Sequence, residues 1–154
     1  MPASISTQYA VLVAAAKIER DHAQEAIVEQ LAQLERRLAE HRLARKSSSL
    51  GWVFGARKRS EEPIKGLYIF GDVGRGKTML MDLFFAASPV VRKRRTHFHE
   101  FMLDVHERVH AYRQKLKLGQ AKNGDPIAVA AAEIAEESWL LCFDEFHVTD
   151  IADA

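Results

Sequence analysis

One glycine-rich segment constrains the fold of this chain more than any other feature. The residues Gly71-Asp72-Val73-Gly74-Arg75-Gly76-Lys77-Thr78 match the phosphate-loop pattern G-x-x-x-x-G-K-[ST] at every fixed position. A short apolar segment typical of a strand, residues 66–70, precedes the loop, and residues 79–87 form an apolar helical segment after it. Glycines let successive backbone N–H groups turn toward an anion, and a helix N-terminus adds the positive end of its dipole. The segment therefore predicts a strand, a phosphate-binding loop and a helix in that order.

The loop also predicts which residues would contact a nucleotide. All eight motif residues, 71–78, are candidates for the nucleotide site, with Lys77 reaching the β- and γ-phosphates and the Thr78 hydroxyl ligating Mg²⁺. Lys77 is accordingly a candidate catalytic residue as well. The alternative is a chance glycine-rich turn, and the agreement of strand, motif and helix argues against it.

A second motif places two acids at the end of an apolar segment. Leu140-Leu141-Cys142-Phe143 reads as a buried strand, and Asp144-Glu145 follow it directly. Ligands of open α/β sheets bind at the carboxyl ends of the strands, so we expect both acids to face the phosphate loop. Asp144 is the candidate for the Mg²⁺ shell, and Glu145 is the candidate base that orients the attacking water.

The rest of the chain alternates strands and helices around these motifs. We predict an N-terminal helical segment over 1–46, a linker over 47–63 and the N-terminal part of a P-loop ATPase domain over 64–154. The fold class is thus α/β, a parallel sheet of the P-loop class behind leading helices. Further elements are expected as a strand at 95–98, helices at 101–118 and 126–137, and a strand at 139–143.

The leading helix carries its own signals. Asp21 and Gln24 resemble a capping box and predict a helix start or kink there. Beyond it an apolar stripe is expected to pack onto the domain that follows; it consists of Ile27, Leu31, Leu34 and Leu38. Trp52 and Phe54 in the linker either plug the joint between helix and core or wall an adenine pocket, and packing is the commoner use of such aromatics.

Composition excludes several classes of protein. A formal net charge of +1 over 154 residues gives no general reason to expect nucleic acid as the main partner. The single cysteine, Cys142, cannot form an internal disulfide, and its apolar surroundings predict burial. The N-terminal apolar stretch lacks the basic residues of a signal peptide, and no apolar run is long enough to span a membrane. We expect a cytoplasmic protein.

Three patterns suggest other chemistry. His106-Glu107-Arg108-Val109-His110 spells the zinc-protease helix H-E-x-x-H, yet an amphipathic helix in a nucleotide fold explains it without a metal. Asp144-Glu145-Phe146-His147 spells the D-E-x-H box of helicases, itself an ATP-hydrolysing motif. The basic run 92–95 could contact phosphates, although a solvated start of a strand is the simpler interpretation.

Together these residues resemble the ZapE family, AAA-type ATPases of bacterial cell division with mitochondrial AFG-like relatives. The similarity rests on Tyr9 and Asp21-x-x-Gln24, on Lys65 through Phe85 including the loop, on Arg95-Thr96-His97-Phe98-His99-Glu100-Phe101-Met102, and on residues 141–154. The resemblance implies ATP and Mg²⁺ as cofactors and hydrolysis coupled to remodelling a protein partner. In bacteria that partner is the FtsZ division ring, and the full-length proteins are expected to form homo-oligomers.

Members of that family are more than twice as long as this chain. The resemblance therefore implies an N-terminal fragment with an incomplete AAA-type parallel sheet, which lacks the family's later sensor, arginine finger and helical portion. An arginine finger contributes about 10³ to 10⁵ in rate, so hydrolysis is expected to be impaired. A nucleotide-binding interaction module without efficient hydrolysis is the alternative function.

Overall fold

The computed structural model describes residues 3–51 and 64–146, with only the backbone described over 42–51. Five helices and two strands follow one another in this part of the chain: α1 (Ile5–Ala14), α2 (His22–Gly51), α3 (Lys77–Ala87), β1 (Lys93–His97), α4 (Phe98–Lys117), α5 (Pro126–Glu137) and β2 (Leu140–Asp144). They form two compact units, Met1–Val91 and Arg92–Ala154. Trp52, Phe54 and the tail from residue 147 lie outside the described residues. None of the helices within the described ranges is long and apolar enough to cross a membrane.

The first unit is a packed set of three helices. The Ser4 side chain caps α1 by accepting from the Thr7 N–H, and Asp21 caps α2 by accepting from the Ala23 N–H at 2.8 Å. The predicted leading helix is therefore two helices, and the predicted start at Asp21 is confirmed. Helices α1, α2 and α3 pack on one another, and their buried side chains are Ile5, Tyr9, Val28, Leu31, Leu34, Leu38, Leu80, Phe84 and Ala87.

The apolar stripe of α2 is buried in this unit, as the sequence predicts. Three of its four predicted members are buried, and Val28 takes the place of Ile27 beside them. Helix α2 also continues to Gly51, five residues into the segment predicted as a linker. The serines at 47–49 are poor helix formers in isolation, but a helix already nucleated over 20 residues extends at little cost.

The predicted first strand is wrong. Residues 66–70 form no regular structure, although Tyr68 and Phe70 stack with ring centroids 6.2 Å apart. Leu67, Tyr68 and Phe70 are 43%, 69% and 82% exposed. A strand exists only as part of a ladder with a neighbour, and the two strands that the described ranges contain both lie in the other unit.

The second unit contains a parallel pair of strands linked through two helices. Lys93 pairs with Leu140 and His97 pairs with Asp144, so both strands end at the same edge. The predicted strands and helices are confirmed with shifted bounds: β1 starts two residues earlier than expected, and α4 starts at Phe98 rather than residue 101. Helix α5 begins at the predicted Pro126, where its missing N–H costs nothing and Asp125 caps the turn.

The core of this unit forms where α4 packs against the strands. Cys142 on β2 is buried, as predicted. Phe143 meets the ring of Phe98 edge-on at 5.8 Å and that of Phe101 at 4.7 Å. The α4 side chains of the predicted stripe are half-buried; these are Phe101, Val105, Val109, Tyr112 and Leu116.

An ion-pair network ties α4 to both of its neighbours. Arg108 donates to Asp104 at 2.7 Å and makes two 2.8 Å bonds to the carboxylate of Glu137 on α5. Arg94 on β1 donates to the other oxygen of Asp104 at 2.5 Å. Hydrogen bonds from Arg108, and then from Arg94, lower the pKa of Asp104. The basic run at 92–95 leads into β1 with Arg92 and Arg95 exposed, as expected for a solvated start of a strand, while Arg94 and Arg95 also pair with acids.

Replacing the central acid of this network tests its contribution to stability. Asp104→Asn removes a charged acceptor shared by two arginines, and we expect the free energy of unfolding in urea to fall by about 1–2 kcal/mol near neutral pH. The pKa of Asp104 is lower in the folded protein than in the unfolded chain, where it is near 3.8. The network therefore stabilises the folded protein above that pH, and this stabilisation is lost as the pH falls below it. The difference between Asp104→Asn and the parent should therefore shrink below about pH 4.

The control is Glu107→Gln, the same chemical change at an exposed site on the same helix. Equal stabilities of Asp104→Asn and this control across the pH range would show that the network contributes nothing.

Candidate functional site

The phosphate loop has the backbone conformation that its glycines predict. Gly71, Gly74 and Gly76 have φ values of +148°, +80° and +79°, a region that side chains with a Cβ adopt only with strain. A Cβ added at Gly71 or Gly74 would meet nothing within 4 Å, so backbone conformation alone requires glycine there. Gly76 differs, because a Cβ at that position would lie 2.8 Å from Nε2 of Gln24.

The loop ends at the N-terminus of α3. Gly76 is the N-cap residue and has no side chain with which to satisfy the first N–H groups of the helix. The N-terminal turn of α3 therefore keeps the backbone donors and the positive dipole end that attract an anion. Thr78 lies exposed in this first turn, next to Lys77.

The side chain of Lys77 folds back over the loop. Its Nζ donates to the carbonyl oxygens of Gly71 at 2.8 Å and Asp72 at 2.7 Å. These two bonds hold the ammonium charge above the loop and offset the rotamer freedom that a flexible lysine loses there. The structure thus brings together all eight residues predicted for the phosphate site.

The loop has further contacts that the sequence analysis did not assign. Gln24 at the start of α2 donates from Nε2 to the carbonyl oxygen of Arg75 at 3.1 Å, and Oδ2 of Asp21 accepts from the Arg75 guanidinium at 3.2 Å. The capping-box interpretation is therefore half right: Asp21 caps α2, but Gln24 bonds the loop. Gln24 lies three residues after the N-cap Asp21, and from the sequence this spacing indicates only a capping box.

The surroundings of Gly74 and Gly76 differ in a way that mutations can measure. Gly74→Ala places a Cβ in open space and adds only left-handed strain, about 1–2 kcal/mol. Gly76→Ala adds the same strain and a methyl group against Gln24, whose amide must shift and so weakens its bond to Arg75. We expect urea unfolding to show Gly76→Ala about 1 kcal/mol less stable than Gly74→Ala. A Gly74→Ala variant that is equally or less stable would contradict the close approach.

The predicted acid pair lies in the second unit, at the end of β2. Asp144 is the last residue of the strand, with a side chain only 16% exposed; Oδ2 lies 3.5 Å from the Arg95 guanidinium, and Oδ1 accepts from the Glu145 N–H at 3.1 Å. Glu145 has a left-handed φ of +51° and a side chain 74% exposed. A non-glycine residue in that region costs about 1–3 kcal/mol, and such residues cluster at functional sites.

The strand register places a histidine beside the acids. His97 ends β1 directly opposite Asp144, and its Nδ1 lies 3.9 Å from Oε2 of Glu145. That ring nitrogen is buried, and no hydrogen-bond partner for it exists among residues 3–51 and 64–146. The position of His97 beside the acids could not be predicted from the sequence, because the register of a strand pair cannot be read from one strand alone.

The loop and the acids belong to different compact units. Residues 71–78 lie in the first, Asp144 and Glu145 lie in the second, and the predicted approach of the acids to Thr78 stays a prediction. On α4, the side chains of His106, Glu107 and His110 are exposed, and His110 has the Gln114 amide at 3.3 Å. In the part of the chain that the structure describes, no three or more His, Cys, Asp or Glu residues cluster as metal ligands would.

A glycine loop in left-handed conformations, followed by a helix whose first lysine folds over that loop, defines the class of P-loop nucleotide-binding proteins. The sequence model of the AFG1-like ATPase family matches residues 3–154, so the chain belongs to this family. The resemblance inferred from the sequence is confirmed.

Similar proteins include relatives from bacteria, fish and yeast. The chain is 56% identical over 95 residues, 60% of its length, to Danio rerio lactation elevated protein 1 homolog B. It is 47% identical over 106 residues, 68% of its length, to the Escherichia coli cell division protein ZapE, and 41% identical over 127 residues, 72% of its length, to an uncharacterized Schizosaccharomyces pombe protein. These matches span only 19%, 26% and 27% of the three relatives. No solved structure gives a significant match.

Proposed function

We propose that this chain binds Mg²⁺·ATP at residues 71–78 and hydrolyses the nucleotide. The observation that carries the proposal is the loop itself, in which three left-handed glycines precede a helix without a side-chain cap and Lys77 is held over the loop carbonyls. Backbone N–H donors and one fixed cation suit a polyphosphate and suit few other ligands. The preference for ATP over GTP comes from the family.

The residues present fit the proposed cofactors. Lys77 would bind the β- and γ-phosphates, and Thr78 would supply a hydroxyl oxygen to Mg²⁺, a cation that prefers oxygen ligands. Bound Mg²⁺ neutralises charge that develops on the phosphates. Asp144 is proposed for the metal shell and Glu145 as the base that orients the attacking water, the assignments made from sequence.

A second candidate is nucleotide binding without efficient hydrolysis. The surroundings of Glu145 favour this second function. Its side chain is 74% exposed, and its ion-pair partner His97 lies 3.9 Å away, which is longer than a hydrogen bond. A water-activating base works best when neighbouring groups fix its position.

Similarity to a longer relative that is named a cell division protein supports a wider proposal. By its similarity to a cell division protein, the chain belongs to an ATPase that couples hydrolysis to remodelling a protein partner, with the FtsZ ring as the bacterial candidate. Residues 64–154 would form the N-terminal part of the ATPase domain, 1–46 its helical segment and 47–63 a linker. A homo-oligomer is proposed for the whole protein.

Removing the loop cation tests nucleotide binding. We expect Lys77→Ala to weaken ATP binding at least about 100-fold, because a charge-assisted contact to the phosphates contributes about 3 kcal/mol or more. Isothermal titration with Mg²⁺·ATP measures the dissociation constant. Lys115→Ala, at an exposed site on α4, is the control. If Lys77→Ala binds ATP as tightly as the parent, the assigned site is wrong.

Removing the proposed base separates the two candidate functions. If Glu145 activates water, Glu145→Gln should lower the rate of phosphate release by about 10² or more and leave ATP binding unchanged. Tight binding with no turnover in the parent, unaltered by Glu145→Gln, favours the binding module instead. Glu107→Gln is the matched control, because its side chain is exposed on α4.

A further inference from the structure

A chain of hydrogen bonds connects the core of the first unit to the phosphate loop. The hydroxyl of Tyr9, in a residue only 4% exposed, donates to Oε1 of Gln24 at 3.2 Å. Gln24 in turn donates from Nε2 to the carbonyl oxygen of Arg75 at 3.1 Å. The glutamine therefore links a buried residue of α1 to the peptide just before the glycine that begins α3.

The orientation of the Gln24 amide is fixed by its partners. A carbonyl oxygen only accepts, so the amide nitrogen must face Arg75, and the amide oxygen is then left for the Tyr9 hydroxyl. Tyr9 thus selects the amide orientation that can bond the loop. Without the Tyr9 hydroxyl, only the bond to Arg75 would offset the rotamer entropy that Gln24 loses in this geometry.

The bond from Gln24 to the Arg75 carbonyl determines the direction of the Gly76 N–H. The peptide between Arg75 and Gly76 is trans, as are all the peptides that the structure describes. In a planar trans peptide the C=O and the N–H point in opposite directions. A carbonyl held toward α2 therefore turns the Gly76 N–H away from α2, at the point where the loop meets α3.

The Arg75 side chain is held from the same helix. Asp21 uses Oδ2 to accept from Arg75 at 3.2 Å while its Oδ1 caps α2. A Cβ at Gly76 would lie 2.8 Å from Gln24, which shows how closely the loop passes the first turn of α2. Both the backbone and the side chain of residue 75 are thus fixed by α2.

We infer that Gln24, oriented by Tyr9, is a positioning residue that holds the 75–76 peptide so that the Gly76 N–H faces a bound polyphosphate. The inference rests on the proposed function of the loop. Gln24 touches no nucleotide in this scheme and acts through the Arg75 carbonyl. Its loss should weaken nucleotide binding without unfolding the protein, since Tyr9 remains packed in the core.

The test is Gln24→Met, which keeps the length of the side chain and removes both its donor and its acceptor. Titration with Mg²⁺·ATP should show binding about three- to tenfold weaker than in the parent, the effect of one net hydrogen bond. Tyr9→Phe should show a smaller loss, because the amide stays but its orientation is no longer selected. The double variant should bind no more weakly than Gln24→Met alone.

The matched control is Gln30→Met, the same change at an exposed site on the same helix. Thermal unfolding of each variant without nucleotide separates positioning from support of the fold. A weaker affinity in Gln24→Met, with an unfolding midpoint equal to that of Gln30→Met, supports the inference. An affinity equal to the control's, or a loss fully explained by a lowered midpoint, overturns it.

The same experiment distinguishes failure of this inference from failure of the proposed function. If Lys77→Ala abolishes binding while Gln24→Met binds as the control does, only the positioning role is refuted. If Lys77→Ala binds as the parent does, the loop is not the nucleotide site, and the proposed function and this inference are refuted together.

Discussion

The geometry of the phosphate loop depends on backbone conformations that glycine alone adopts without strain. At Gly71 and Gly74 the space around a Cβ is open, so the requirement is one of φ and not of packing. At Gly76 the two requirements coincide, because the residue is left-handed and also passes within contact distance of Gln24. The lysine that follows can fold over the loop only because these turns bring the Gly71 and Asp72 carbonyls beneath it. The backbone conformation of the loop therefore determines where the Lys77 charge lies.

In the second unit the corresponding constraint is strand register. Parallel pairing of β1 with β2 places His97 opposite Asp144, and it places Arg95 near the same acid. A shift by one residue would turn these side chains to the other face of the sheet. Outside the strand pair, Arg94 and Arg108 share Asp104 and so connect β1 to α4.

The elements with a strong local signal could be predicted from the sequence. The phosphate loop, the stripe on α2, the helix start at Pro126 and the burial of Cys142 all follow from patterns within a few residues. Residues 66–70 show the limit, because their apolar composition is typical of a strand but a ladder requires a partner that composition does not supply. The contacts of Gln24 and His97 could not be predicted for a related reason. Each depends on a neighbour distant in sequence, Arg75 for one and Glu145 for the other.

The contacts of helix α2 have a mechanical consequence for the phosphate loop. Its 30 residues span about 45 Å at 1.5 Å per residue, and its first turn holds Arg75 by two separate bonds. Because α2 is one continuous helix, backbone hydrogen bonds connect its far end to the turn that contacts the loop. A tilt or rotation imposed at the far end, near Gly51, would reach the 75–76 peptide as a displacement, and a change in the loop would travel outward along the same axis.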